Sequence, residues 1–374
     1  MAPRLDWLRL HDLARKAHLP GLVAHSLERL SKATDVSVPE QVRHAFIASE
    51  LMVEARNRVS MDEAARLCAE AYQRSLRVVP IKGAALMMNR TYPGLGLRAM
   101  SDIDLVGCRD EFSDLERLLR EHGYLPDASA PQMLRHHHHV VYGKKRSGVP
   151  VTVELHWTPY QALHGRRDLD EAAMARLETV ELDAGRLWFL DAEDAMLCQL
   201  LHLANHRFRG PLKWLVDVHE LLLHGPQLRW PVFWQRAAAL GAVRCTAFGL
   251  WLTEAVLGGG GMMASATAPA GFPGPAGFPG PAGFPGPGPT DSPGWQAKIT
   301  PWWAFELMMR MNGPRAAITA DPYDRWLGIL VDFFSYDRVG DGMRNVVVKT
   351  ADVLERAGGR IPQALLRRHQ LESP

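Results

Sequence analysis

Cysteine is scarce in this chain of 374 residues: only Cys68, Cys108, Cys198 and Cys245, far apart and with no Cys-x-x-Cys spacing. That excludes a disulfide framework, a cysteine-ligated zinc module and a thioredoxin-type redox pair, and it implies buried free thiols in a reducing compartment. Excess charge is also lacking. Lys and Arg number 43 against 41 Asp and Glu, a formal net charge of +2, which excludes a dedicated DNA binder. Basic runs are local, at residues 144–146, 166–167 and 207–213. Such runs are ordinarily solvated faces, and beside a cleft they guide a triphosphate or an RNA end. No uncharged apolar run reaches about 18 residues, and the first residues carry no apolar signal core, so no membrane partner is expected and the cytoplasm is the simplest location.

Glycine and proline are missing between Pro39 and Pro80. The gap predicts one long helix over residues 39–76, with a break expected near residues 58–62 on length alone. Before it, helical spacing of Trp7, Leu8, Leu10, Leu13 and Ala14, then of Leu22, Val23, Leu27 and Leu30, is interrupted at Pro20-Gly21, so two or three short helices are expected. A hydrophobic content of 47% is enough for a sizeable core and two or three modules.

What is present is a pair of alternating stretches. In residues 101–106, Asp102 and Asp104 alternate with Ile103 and Leu105. In residues 151–157, Thr152, Glu154 and His156 alternate with Val151, Val153, Leu155 and Trp157. As strands, both put their polar residues on one face and their aliphatics on the other. If they pair, three carboxylates meet on an open face. Two carboxylates about 4 Å apart repel by roughly 4 kcal/mol at an effective dielectric near 20, so a divalent cation is the natural counter-charge. Asp-x-Asp alone also describes two solvated residues on an edge strand.

The order of motifs says more than the tripeptide. Lys82-Gly83-Ala84-Ala85-Leu86, Tyr92-Pro93, Leu97-Arg98-Ala99-Met100-Ser101, Asp102-Ile103-Asp104-Leu105 and Val153-Glu154-Leu155-His156-Trp157 follow one another. From Asp6 to about Leu223 this series resembles the uncharacterised bacterial nucleotidyltransferases of the DNA polymerase beta-like superfamily. The resemblance implies an α+β fold: a small mixed-sheet core with helices on one face, plus flanking all-helical segments. It also implies transfer of a nucleoside monophosphate from an NTP such as ATP to a hydroxyl acceptor (small molecule, peptide or RNA), with Mg²⁺, or alternatively Mn²⁺, as cofactor. Asp102, Asp104 and Glu154 match the catalytic and metal-binding positions. Where the superfamily carries a Gly-Ser pair, this chain has Lys82-Gly83-Ala84, without a hydroxyl. The Lys-Gly form is similar to abortive-infection toxin nucleotidyltransferases, which makes tRNA ends an alternative acceptor; a non-catalytic nucleotide-binding or scaffold protein is the reading outside enzymology.

Residues 77–81 read as the first core strand, and Gly83 opens a helix whose start suits phosphate oxygens. Lys82 then either contacts the triphosphate or pairs with an aspartate. Lys82, Gly83, Arg98, Ser101 and His156 form the expected nucleotide-binding set. Arg98, on a Pro/Gly loop at residues 92–98, either reaches the ligand or pins the loop. Residues 111–122 read as an amphipathic helix stopped by Gly123. In the run His136 to His139 alternate rings of a strand diverge, so at most two can share a site. Residues 143–150 read as a hairpin turn. Residues 192–206 and 212–223 read as helices offering a possible cleft lined by His202, His206, Lys213 and Asp217.

The expected division is a helical segment at 1–76, the core at 77–158, a helical domain at 159–257, a Gly/Pro-rich linker at 258–294 and a helical segment at 295–374. In the linker, residues 271–286 place Gly at every third position in Gly-Phe-Pro-Gly-Pro-Ala repeats. The pattern is collagen-like but short, and a semi-rigid spacer is the simpler expectation.

Overall fold

A computed structural model describes residues 5–34, 36–127, 138–160, 167–208 and 210–257. The linker, its repeat and the segment from residue 295 lie outside the described residues, as do His136 and His137. Two units form, each from separated stretches. One takes the described residues up to Pro159 with Ala173–Asp191 and Pro211–Pro226; the other takes Tyr160–Ala172, Ala192–Gly210 and the chain from Gln227.

The first unit is built on a mixed sheet. Its strands are β1 (Val78–Pro80), β2 (Ile103–Gly107), β3 (Leu125–Pro126), β4 (His139–Arg146) and β5 (Val149–His156), in the order β1-β2-β5-β4-β3. β2 lies parallel to β5, and the other pairs are antiparallel. β6 (Glu178–Leu182) and β7 (Gly185–Phe189) form a separate hairpin. The expected turn over residues 143–150 shrinks to Ser147-Gly148, because these two residues take φ of +50° and +80°. Positive φ at both central positions closes a two-residue hairpin, so the strands run up to the turn. That turn sets the register and places His139 opposite His156.

Helices α1 (Trp7–Lys16), α2 (Pro20–Ala33), α3 (Glu40–Gln73), α4 (Lys82–Met88) and α5 (Phe112–Glu121) complete most of this unit. Asp6 caps α1 by accepting from Arg9 N at 3.0 Å, and Pro20 starts α2, where a missing N–H costs nothing. The expected break in α3 does not occur; its 34 residues are continuous. The residues from Arg58 to Asp62 hold no helix breaker, and the burial of Asn57, Met61, Glu63 and Ala64 keeps the middle of α3 packed. This helix does more than support the sheet. Asn57 Nδ2 donates to the carbonyls of Leu95 and Arg98, both at 2.7 Å, while its Oδ1 accepts from Met100 N at 3.2 Å. Glu63 takes Tyr124, Arg146 and Arg66 at 2.8–2.9 Å, and also pairs with Lys144.

Beyond these come α6 (Arg167–Met174), α7 (Ala192–Asn205), α8 (Lys213–His224), α9 (Trp230–Leu240) and α10 (Val243–Leu257). In the second unit, Phe208 meets Phe248 edge-on at 4.6 Å, and Trp230, Phe233 and Trp234 cluster together. Gly241 ends α9 in the left-handed conformation, φ 66°, a common helix stop because glycine has no Cβ to clash. All four cysteines are buried and none forms a disulfide, as expected. No described helix is long and apolar enough to cross a membrane.

Candidate active site

β2 places Asp104 beside Glu154 of β5 in direct register, and Val106 beside His156. The alternation read from the sequence therefore does bring polar side chains from two strands together. The face is only partly open: Asp102 and Glu154 are half-buried. All five residues of β2 are buried, Asp104 included, since β2 lies between β1 and β5 and Lys82 pairs with the Asp104 carboxylate. The chain leaves β1 through Ile81, whose N–H donates to the Asp104 carbonyl at 3.0 Å, and Lys82 follows with φ +50°. A non-glycine residue in that region costs roughly 1–2 kcal/mol. Its ammonium ends 2.6 Å from Asp104 Oδ1. This ion pair with an aspartate is one of the two roles expected for Lys82.

His156, wholly buried, donates from Nε2 to the same Asp104 oxygen at 3.0 Å and lies 3.4 Å from Glu154 Oε2. Burial works to raise the Asp104 carboxyl, but the Lys82 charge and the His156 hydrogen bond outweigh it and hold that group well below the usual carboxylate range. At Glu154 burial again opposes ionisation, the His156 hydrogen bond favours it, and the balance is a lowered value. Asp102 is the exception. Burial and then the charges of Asp104 and Glu154 push its carboxyl up, against Lys82 and a 3.1 Å hydrogen bond from Ser101 Oγ.

Two further sets of expected site residues find partners. Arg98 Nε and Nη2 donate to Asp217 Oδ1 and Oδ2 of α8, both at 2.7 Å, and Tyr92 Oη donates to Asp217 Oδ1 at 2.8 Å. The loop is pinned, since Asn57 holds its carbonyls and a Cβ on Gly21 would sit 2.1 Å from the Gly96 carbonyl oxygen. Gly83 is buried, and a Cβ there would meet Arg98 Nη1 at 2.2 Å. Its lack of a side chain makes room for the guanidinium. The residues expected to line one helical cleft also fall in different units. Lys213 and Asp217 belong with the sheet, where Lys213 Nζ donates to the Ala99 carbonyl at 3.2 Å. Burial and the nearby Arg98 charge lower the Lys213 ammonium. His202 and His206 stand in the other unit with rings 4.7 Å apart, and among the described residues they join no group of three metal-ligating side chains.

The two carboxylates and the imidazole make a donor set for a divalent cation. Ligand atoms of Asp104, Glu154 and His156 all lie within 4.8 Å of one another; burial first, and then the charges of Asp104 and Glu154, raise the Asp102 carboxyl, and a cation beside it relieves that cost.

The sequence pattern of a family described as "Uncharacterised nucleotidyltransferase" matches residues 3–258. The chain belongs to this nucleotidyltransferase family. The match runs past Leu223, where the resemblance read from motifs stops, and takes in α9 and α10. Among solved structures, an antigenic nucleotidyltransferase-like protein from Paracoccidioides brasiliensis is similar, with 16% identity over 48% of this chain and 86% of that one and a TM-score of 0.33. No curated protein matches.

Motif reading missed His138 and His139 as neighbours of the site. His139 Nε2 lies 3.8 Å from Glu154 Oε2, and the His138, His139 and His156 rings lie 4.8–5.3 Å apart. Alternation does not separate His138 from His139, because β4 begins only at His139 and the preceding residue bends. The Ser147-Gly148 turn was the available signal, since counting back from it pairs His139 with His156.

Proposed function

We propose that this chain transfers a nucleoside monophosphate from a Mg²⁺-bound NTP to a hydroxyl acceptor, releasing pyrophosphate. The observation that carries the reading is the in-register pair Asp104 and Glu154 on adjacent parallel strands, with Lys82 as built-in counter-cation. Asp102, Asp104 and Glu154 would hold the divalent ion, which supplies charge neutralisation for the triphosphate. The acceptor oxygen forms a bond to the α-phosphorus, the α–β bridging P–O bond breaks, and pyrophosphate leaves with that electron pair. The hydroxyl proton goes to a carboxylate. Glu154, on the acceptor side, is ionised and therefore able to hold or take that proton, while Lys82 has phosphate oxygens as an alternative to Asp104. His156 orients both carboxylates. Ser101 stays with Asp102, and the Gly83 amide contributes at the triphosphate side.

The test is to incubate purified full-length protein with each labelled NTP and Mg²⁺ against small-molecule, peptide and tRNA pools, following pyrophosphate and label transfer. Transfer that disappears in Asp102→Asn/Asp104→Asn supports the reading and names the acceptor class. Nucleotide binding with no transfer in any pool points instead to a non-catalytic nucleotide-binding protein.

A further inference from the structure

We infer that His138, His139 and His156, with the Glu154 carboxylate, form a second cation site, one for a borderline divalent transition-metal ion of the zinc class. It goes beyond the transferase reading and does not rest on it. One ligand atom from each imidazole lies within 4.8 Å of the others. Donors held about 2.0–2.1 Å from a tetrahedral ion stand roughly 3.3–3.4 Å apart. Glu154 Oε2 is already 3.4 Å from His156 Nε2 and 3.8 Å from His139 Nε2, so small rotations of the two half-buried rings His138 and His139 complete a set of three nitrogens and one oxygen. His156 is wholly buried, and on taking the ion its Nε2 gives up the hydrogen bond to Asp104.

The chemistry separates this site from the oxygen site beside it. Imidazole nitrogens suit zinc, cobalt, nickel and copper, whereas magnesium takes oxygen donors. Backbone placement is fixed independently of the rings: His139 faces His156 across the β4–β5 ladder, and the His138 carbonyl accepts from Trp157 N at 3.2 Å. An ion here ties the start of β4 to the end of β5.

The experiment is a titration of chelator-stripped full-length protein with Co²⁺ alone, read by visible absorption and repeated in competition with Zn²⁺ and Mg²⁺. One equivalent with a four-coordinate spectrum, displaced by Zn²⁺ and not by Mg²⁺, is expected. His138→Gln/His139→Gln should weaken it by at least about a hundredfold. His156→Gln, eighteen or so residues away from the tract, should do the same, and this arm separates a folded site from binding by consecutive histidines alone. Undiminished Co²⁺ affinity in the His138/His139 double variant overturns the proposal. So does undiminished affinity in His156→Gln, provided circular dichroism shows it folded; if it is unfolded, the double variant decides, since His138 and His139 are less buried than His156. Asp102→Asn should keep Co²⁺ binding. Wild-type protein that binds Co²⁺ but no Mg-NTP therefore counts against the transferase reading only, and the reverse against this site only.

Discussion

Lys82 Nζ and Asp104 Oδ1 lie 2.6 Å apart with side chains only 10% and 8% exposed. A buried pair that loses one partner costs about 3–5 kcal/mol, because the other charge is left without compensation. Lys82→Met should therefore destabilise the metal-free protein by about that amount in urea unfolding, and Mg²⁺ should recover part of it. Lys82→Gly removes the same charge but also relieves the positive φ, and should be less destabilising than Lys82→Ala by about 1 kcal/mol. Equal stability of the Gly and Ala variants would show that no backbone strain is stored there.

Asp102 should behave in the opposite sense. Its carboxyl is pushed up by burial and by Asp104 and Glu154, so its charge at neutral pH works against the fold. Asp102→Asn should raise the stability of metal-free protein by about 0.5–2 kcal/mol while removing the stabilisation by Mg-NTP. The gain should shrink as pH falls through the raised native value, where wild-type Asp102 becomes neutral in the folded state. Thermal melts at pH 7 and pH 4 check both; a variant less stable than wild type without metal would sink the repulsion argument.

The Arg98–Asp217 fork predicts a stability defect, not a binding defect. Both groups are buried, and Asp217 is wholly so. Asp217→Asn should cost about 3–5 kcal/mol, and Arg98→Met/Asp217→Leu should cost less than the sum of the single changes, since each single change strands a charge. If instead Arg98→Met leaves stability untouched and weakens nucleotide affinity alone, Arg98 is a ligand contact after all.

Acid sensitivity should trace in part to Glu63. Burial opposes its charge, yet hydrogen bonds from Lys144, Arg66 and Tyr124 prevail and hold the carboxyl below its ordinary 4.5. A depressed native value means the unfolded chain takes up the proton first. Its stabilisation is thus complete well above pH 4.5 and is lost as pH falls through the native value. Urea unfolding of wild type and Glu63→Gln should differ most near pH 7 and converge on acidification. A gap that stays constant from pH 7 to pH 3 would assign the effect to packing.

The amino-acid order by itself determined the local pieces: the alternation of Asp102 to Leu105 and of Val151 to Trp157, the long helix implied by the absence of Gly and Pro after Pro39, and the motif series of the family. These are readable because strand and helix periodicity act over a few residues. Partner choice was decided only by the tertiary structure. Lys82 meets Asp104 because β1 ends beside β2, and Arg98 meets a carboxylate 119 positions away. His138 and His139 join His156 through a two-residue turn. A side chain's charge declares that it needs a partner when buried, but which partner it finds depends on the packing of segments distant in sequence, and no local pattern encodes that distance.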